Sequence, residues 1–180
     1  MPSGRTHDRI TYLSLPPLAV IAYLLTGRGE WLLWLSGAYL FSGLMFGPDL
    51  DIYSLQYKRW GMIRWIWLPY QSCFKHRSFF SHGLIVGTVI RVIYLFSIIV
   101  IVAIFVVAIA QFIWGFPWNW RNVAEYNFNT LKNQYLGEAI VTFIGLELGA
   151  MSHSLSDYWV SHFKQSQKKP KKRRSRRNKK

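Results

Sequence analysis

The chain has 180 residues, of which 51% are hydrophobic and 17% aromatic, and its 22 Lys and Arg against 8 acids give a net charge of +14. So apolar a body excludes intrinsic disorder and a lone cysteine, Cys73, excludes a disulfide scaffold, while a charged fraction of 17% lies below the roughly 25% of soluble domains. A mean hydropathy of only +0.12 averages a basic polar tail beyond His162 with a body rich in Leu, Ile, Val, Phe and Trp, the pattern of a small integral membrane protein with a soluble appendage.

Residues 1–9 are polar and weakly basic, but no small-residue cleavage site follows before Leu24, and Pro16-Pro17 interrupts the apolar run, so a signal peptide is not expected. Two short apolar segments come next, 13–26 (LSLPPLAVIAYLLT) and 31–46 (WLLWLSGAYLFSGLMF), joined by the tight turn Gly27-Arg28-Gly29-Glu30. They read either as two spans or as a buried or re-entrant hairpin. Residues 57–71 (YKRWGMIRWIWLPYQ) alternate Lys58, Arg59 and Arg64 with Trp60, Ile63, Trp65, Ile66, Trp67 and Leu68. That mixture suits a helix in the headgroup region, or else a connecting loop with buried tryptophans.

The strongest membrane signal runs over 84–116. Within it, residues 92–111 carry no charge and meet the roughly 20-residue requirement for a spanning helix. Arg91 lies near enough to one end to snorkel. Trp114, Phe116, Trp118 and Trp120 resemble an aromatic belt where this span leaves the bilayer. A fourth segment, 136–152 (LGEAIVTFIGLELGAMS), carries Glu138, Glu147 and a Gly145/Gly149 pair whose G-x-x-x-G spacing permits close helix contact. The expected fold is therefore all-α and membrane-embedded: about four spans up and down over a domain 1–163, with an interfacial segment and a disordered basic tail over 164–180.

Lys and Arg sort unevenly. With four spans, Arg5, Arg9, Lys58, Arg59, Arg64, Lys75, Arg77 and the tail fall on one side, against only Arg28, Arg121 and Lys132 on the other. The positive-inside tendency makes the first side, with both termini, cytoplasmic. The tail then anchors topology and touches anionic lipid headgroups. A nucleic-acid arm is disfavoured, because the tail has no interleaved aromatics and no folded reader accompanies it.

The chemistry candidates are five histidines and four aspartates, all on that same side. His7 and Asp8 precede the first span. Asp49 and Asp51, in Gly47-Pro48-Asp49-Leu50-Asp51, close the second. His76 and His82, in His76-Arg77-Ser78-Phe79-Phe80-Ser81-His82-Gly83, open the third, and His153 with Asp157 ends the fourth. A spacing of four puts His153 and Asp157 on one helix face. Carboxylates this near hydrocarbon are costly unless paired, protonated or metal-bound. A mixed imidazole and carboxylate set suits Zn²⁺, Mn²⁺ or Fe²⁺; a salt-bridge network is the alternative. Seven side chains (His7, Asp49, Asp51, His76, His82, His153, Asp157) exceed one tetrahedral shell, so one or two ions are expected, two being bridged by a carboxylate. Asp8 and Glu147 are then the candidates for supporting ligands or moving protons, and His162 is a surface residue outside the cluster. Ser81 and Cys73 lack the context of a nucleophile, and no G-x-S-x-G elbow, phosphate loop or H-E-x-x-H occurs.

These motifs, in this order over roughly residues 3 to 162, resemble a family of small uncharacterised bacterial membrane proteins described as metal-binding. More distantly they are similar to the membrane-bound metal-dependent hydrolases, with P-D-x-D, H-R-x-x-x-H-S and H-x-x-x-D signatures, although Gly83 replaces the usual Ser. A weaker likeness leads to zinc-dependent phospholipase C and single-strand nuclease folds. The resemblance implies an all-helical protein of the bacterial inner membrane with metal on those seven residues. The resulting expectation is metal-dependent hydrolysis of a phosphoester, plausibly a lipid headgroup. The alternative is a non-catalytic membrane protein whose metal ties helix ends together.

Overall fold

A computed structural model describes residues 4–166, with side chains placed as far as Trp159; the basic tail, including residues 168–180, and the His162 side chain lie outside what is described. The described residues are all-α, with eight α-helices, two 3-10 segments and no strand. Helices α1 (Gly4–Thr26) and α2 (Gly29–Leu44) form a hairpin, and α8 (Leu136–Ser166) packs along α2 and touches α1. Between them run a 3-10 turn (Pro48–Asp51), α3 (Leu55–Arg59), a second 3-10 segment (Gly61–Trp67), α4 (Leu68–Cys73), α5 (Phe79–His82), α6 (Val86–Trp114) and α7 (Trp120–Gln134).

Three helices, Gly4–Thr26, Val86–Trp114 and the stretch Leu136–Trp159, are long and apolar enough to cross a membrane. Of the four segments expected to span, α2 is the exception. Its 16 residues rise only about 24 Å, short of a hydrocarbon core of about 30 Å. Helix α1 begins well before the apolar run and continues through Pro16 and Pro17, which places His7 on the helix rather than ahead of it. Helix α8 likewise does not stop at Ser152, so His153 and Asp157 sit within it.

Close approach between α2 and α8 depends on the glycine pair. A Cβ on Gly145 would stand 2.5 Å from the Leu35 carbonyl oxygen, and one on Gly149 would stand 2.5 Å from the Tyr39 carbonyl oxygen and 2.7 Å from Ser42 Cβ. Only glycine lets the two backbones touch there, and the contact fixes the register that carries His153, one turn beyond Gly149, onto the cluster.

Residues 57–71 combine both expected characters. Met62, Ile63, Trp65 and Leu68 are exposed, whereas Trp67 and Tyr70 are completely buried. Those two join Phe46, Leu50 and Tyr57 in an aromatic-rich core, with Trp67 edge-on to Phe46, Trp60 and Tyr70. This core lies directly behind the Pro48–Asp51 turn. Trp60 Nε1–H donates to the Met45 carbonyl (2.9 Å) on one side of the turn, and the Gln71 amide donates to the Leu50 and Ile52 carbonyls (3.0 and 3.1 Å) on the other. Helix α7, polar and exposed, was not legible in the sequence; Asn119 caps it, accepting from the Arg121 and Asn122 N–H groups.

Candidate metal centre

Five separate pieces of chain converge at one end of the α1/α2/α8 bundle. His7 comes from α1, Asp49 and Asp51 from the 3-10 turn after α2, His76 from the turn before α5, His82 from the end of α5, and His153 with Asp157 from α8. The structure brings all seven together. Two groups have donor atoms mutually within 4.8 Å, His7/His153/Asp157 and Asp49/His76/His82.

In the first group the His7 and His153 rings stack, with centroids 3.8 Å apart. Ser156 Oγ–H donates to the His153 carbonyl (2.7 Å), so its single proton is committed and its oxygen must accept from His7 Nδ1–H at 2.5 Å. His7 Nε2 is thereby left as a lone pair, 3.4 Å from Asp157 Oδ1. Two acceptors facing each other at that range call for a cation between them.

In the second group His76 Nδ1–H donates to Asp51 Oδ1 (2.9 Å). His82 Nδ1 has Ser81 Oγ at 2.8 Å and Asp51 Oδ2 at 3.5 Å, both able to accept. Asp51, whose side chain is fully buried, thus stands behind two imidazoles and turns both Nε2 atoms toward the middle. A carboxylate behind a ligating histidine fixes its tautomer and ring orientation.

Asp49 joins the two groups. Its Oδ2 lies 3.1 Å from His153 Nε2 and its Oδ1 lies 3.8 Å from His82 Nε2, though neither imidazole is aligned to hydrogen-bond it. Burial alone would raise the Asp49 carboxyl, but His153 and His82 outweigh it and hold that carboxyl well below the usual carboxylate range.

What the cluster lacks is informative. Asp49 Oδ1, Asp51 Oδ2, His76 Nε2, His82 Nε2, His153 Nε2 and Asp157 Oδ1 are all buried without a hydrogen-bond partner, whereas buried polar atoms are nearly always satisfied. Among the described residues, the ion pairs of Asp49, Asp51 and Asp157 run to histidines alone, with no Lys or Arg. Three carboxylates and four imidazoles with their free atoms turned to one spot fit divalent cations of nitrogen and oxygen preference.

The remaining candidates fall elsewhere. Both Asp8 oxygens are taken by Arg59 (2.8 and 2.5 Å), which also donates to the Leu44 carbonyl (2.8 Å). That fork ties α1 to α3 and places Asp8 beside the cluster rather than in it. Glu147 Oε1 accepts from the Ile85 N–H (2.9 Å) and its Oε2 is buried and unpartnered. Ile85 needs that partner, since it has φ +63 and a γ-turn in which Val86 N–H donates to the Leu84 carbonyl, a strained conformation for a β-branched residue. Arg91 does not snorkel. It is buried to 1% exposure and donates to the Ser81 carbonyl and Thr88 Oγ1, both at 2.9 Å, so it braces α5 and hence His82. Ser156 and Gln56, whose amide donates to the Gly43 carbonyl (3.0 Å) and lies 3.5 Å from His153 Nδ1, carried no sequence signal of their own, and Ser81 and Arg91 none for these roles; they are recognised only by what they touch.

The cluster is reachable. A cleft of about 350 Å³ opens beside it, lined by Arg77, His82, Ser154, Asp157 and Tyr158. Its lining includes one residue from each donor group, His82 and Asp157.

Among known families, the one described as uncharacterized metal-binding protein (DUF2227) matches residues 2–167. No curated protein and no solved structure matches the chain.

Proposed function

The chain belongs to this uncharacterized metal-binding protein family, and from that premise we propose that it is a membrane-embedded, metal-dependent hydrolase of a phosphoester. The observation that carries the reading is Asp49, which reaches both groups of donors, each of which contributes one residue to the lining of an open cleft. His7, His153 and Asp157 with one Asp49 oxygen would hold one cation, and His76 and His82 with the other oxygen a second. Zn²⁺ is the ion this nitrogen and oxygen set favours, with Mn²⁺ or Fe²⁺ as alternatives. Such ions supply charge to a phosphoryl oxygen and acidify a water molecule.

The chain's own part is orientation and access. Ser156, Asp51 and Ser81 fix three imidazoles from behind, and the cleft gives access to His82 and Asp157. Hydrolysis adds water across a P–O ester bond, the hydroxyl going to phosphorus and the proton to the leaving oxygen. Glu147 shares a small cavity with His82, Ser154 and Arg91 and is the proton-transfer candidate that stays near the cleft.

A lipid headgroup is the substrate source we favour. The donor groups stand near the ends of apolar helices, and the segment that packs behind the Pro48–Asp51 turn exposes Met62, Ile63, Trp65 and Leu68, which suit headgroup depth. Although α2 is shorter than the hydrocarbon core, it packs along α1 and α8 and returns the chain to the end where His7 stacks on His153. The distribution of Lys and Arg therefore supports placing this end, the N-terminus and the basic tail at one face, the cytoplasmic one, with the tail on anionic lipid.

The test is detergent-solubilised protein, assayed with Zn²⁺ or Mn²⁺ on phosphodiester and phospholipid substrates beside an Asp49→Asn, His153→Ala variant. Turnover by the wild type alone is expected; equal background rates would remove the enzymatic reading. A structural metal is favoured by one observation, the deep burial of His7 and His153. It predicts that chelation lowers the melting temperature while no substrate turns over.

A further inference from the structure

Arg77 stands out in the cleft. Among the described residues it is the one Lys or Arg in the lining, its side chain is exposed, and no carboxylate pairs with it. Its backbone is also costly. Ser78 N–H donates to the Lys75 carbonyl (3.0 Å), closing a turn whose third residue is Arg77 with φ +62. That position ordinarily takes Gly or Asn, because a Cβ is disfavoured there. Strained residues cluster where the surrounding structure needs them held for function. The strained turn joins His76 directly to Arg77, so the same bend that turns one imidazole onto the cluster puts Arg77 in the lining of the cleft.

His82 and Asp157, one from each donor group, line the same cleft. An anion entering the cleft therefore meets metal-ligating side chains and a planar five-donor fork in one lining, the pairing that suits a tetrahedral oxyanion. The volume of about 350 Å³ is in the range of small-molecule sites and leaves room for the group esterified to the phosphate. We propose that Arg77 is the anion-binding and specificity-determining residue of this cleft, receiving the non-bridging oxygens of the substrate's phosphoryl group. The inference rests on the hydrolase reading above for the identity of the anion.

The test uses full-length protein in detergent, loaded with Mn²⁺, and titrates inorganic phosphate by calorimetry and by ³¹P relaxation. Arg77→Gly and Arg77→Asn both fit φ +62, so they delete the guanidinium without straining the turn, and Arg77→Lys keeps the charge without the fork. Metal content is expected to be equal in all four proteins. Phosphate binding is expected to weaken about 10- to 100-fold in the Gly and Asn variants, the loss of one charged hydrogen-bonding group, with Lys in between. Equal phosphate affinity in wild type and Arg77→Gly, or no phosphate binding by the wild type, overturns the proposal. A parallel turnover assay on a generic phosphodiester separates the two claims. Arg77-dependent phosphate binding without turnover upholds the subsite and defeats the hydrolase reading; turnover with phosphate binding indifferent to Arg77 does the reverse. Competition by glycerol phosphate in solution against phosphatidic acid in mixed micelles then assigns the source of the phosphoryl group, and Arg77-dependent competition by either supports the subsite.

Discussion

Replacing Gly149 by Ala tests whether the helix contact and the metal centre are one mechanical unit. The added Cβ would lie 2.5 Å from the Tyr39 carbonyl oxygen, 2.7 Å from Ser42 Cβ and 2.9 Å from the Gly43 nitrogen. The first distance is about 0.9 Å short of the 3.4 Å at which ordinary contact begins. Two of the three obstacles are backbone atoms of α2, which cannot rotate aside as a side-chain tip would. Helix α8 must therefore back away, at about 1–3 kcal/mol for overpacking, or about 2–12 °C in melting temperature for a chain of this size. His153 follows one turn along the same face, so its Nε2, now 3.1 Å from Asp49 Oδ2, moves out of register with the turn. Displacing a group that sets ligand geometry typically lowers metal affinity about 10- to 100-fold.

The control is Gly37→Ala on α2, where a Cβ would meet nothing within 4 Å. That change should be neutral or stabilising by about 0.5–1 kcal/mol, since Ala is the better helix former. Thermal unfolding in detergent, with Zn²⁺ competition against a chromophoric chelator, reads both quantities. A Gly149→Ala protein that melts with the wild type and holds zinc as tightly would refute the claim that these glycines register α8 against α2.

Three further outcomes are expected. Ser156→Ala removes the acceptor of His7 Nδ1–H, so His7 can reverse its tautomer, and zinc affinity in the same competition should drop about tenfold; an unchanged affinity would show that Ser156 does not set the tautomer. Asp8→Asn loosens a partly exposed ion pair with Arg59 and should cost no more than about 1 kcal/mol, with metal content by mass spectrometry left intact; loss of metal would return Asp8 to the centre. Zinc affinity should fall as the solution is acidified from neutral pH toward the ordinary carboxylate range, because an imidazole must be free of its proton to ligate metal. The Asp49 carboxyl, held low by His153 and His82, stays ionised throughout that window. It protonates only well below the ordinary carboxylate range, so a zinc titration that weakened only under pH 4 would contradict this assignment.

Much of the fold was legible residue by residue. The uncharged run over 92–111 requires a long apolar helix whatever surrounds it, and α6 is that helix. His153 and Asp157 share a face because four residues make about one helical turn. Where the reading failed, the deciding force was not local. The span expected over 13–26 lies on a helix that starts nine residues earlier, at Gly4, where the polar His7 face is held by contacts with α8. Arg91 looked like a snorkelling residue, yet hydrogen bonds from its buried guanidinium to Ser81 and Thr88 draw it inward. The Gly145/Gly149 pair is too common a pattern to weigh in a sequence, and its importance appears only when the α2 backbone lies against it.

The sequence by itself determined that the chain is helical, apolar enough to enter a bilayer, and supplied with histidines and aspartates of metal-ligating type, because hydropathy and side-chain chemistry are properties of each residue and its near neighbours. Tertiary structure alone decided that Asp49 joins two donor groups while Asp51 stands behind two imidazoles, and that Asp8 belongs to Arg59. Two aspartates separated by one residue look alike on paper. They acquire different roles because the 3-10 turn, clamped by Trp60 and Gln71 over an aromatic core, points one carboxylate into the cluster and buries the other behind it.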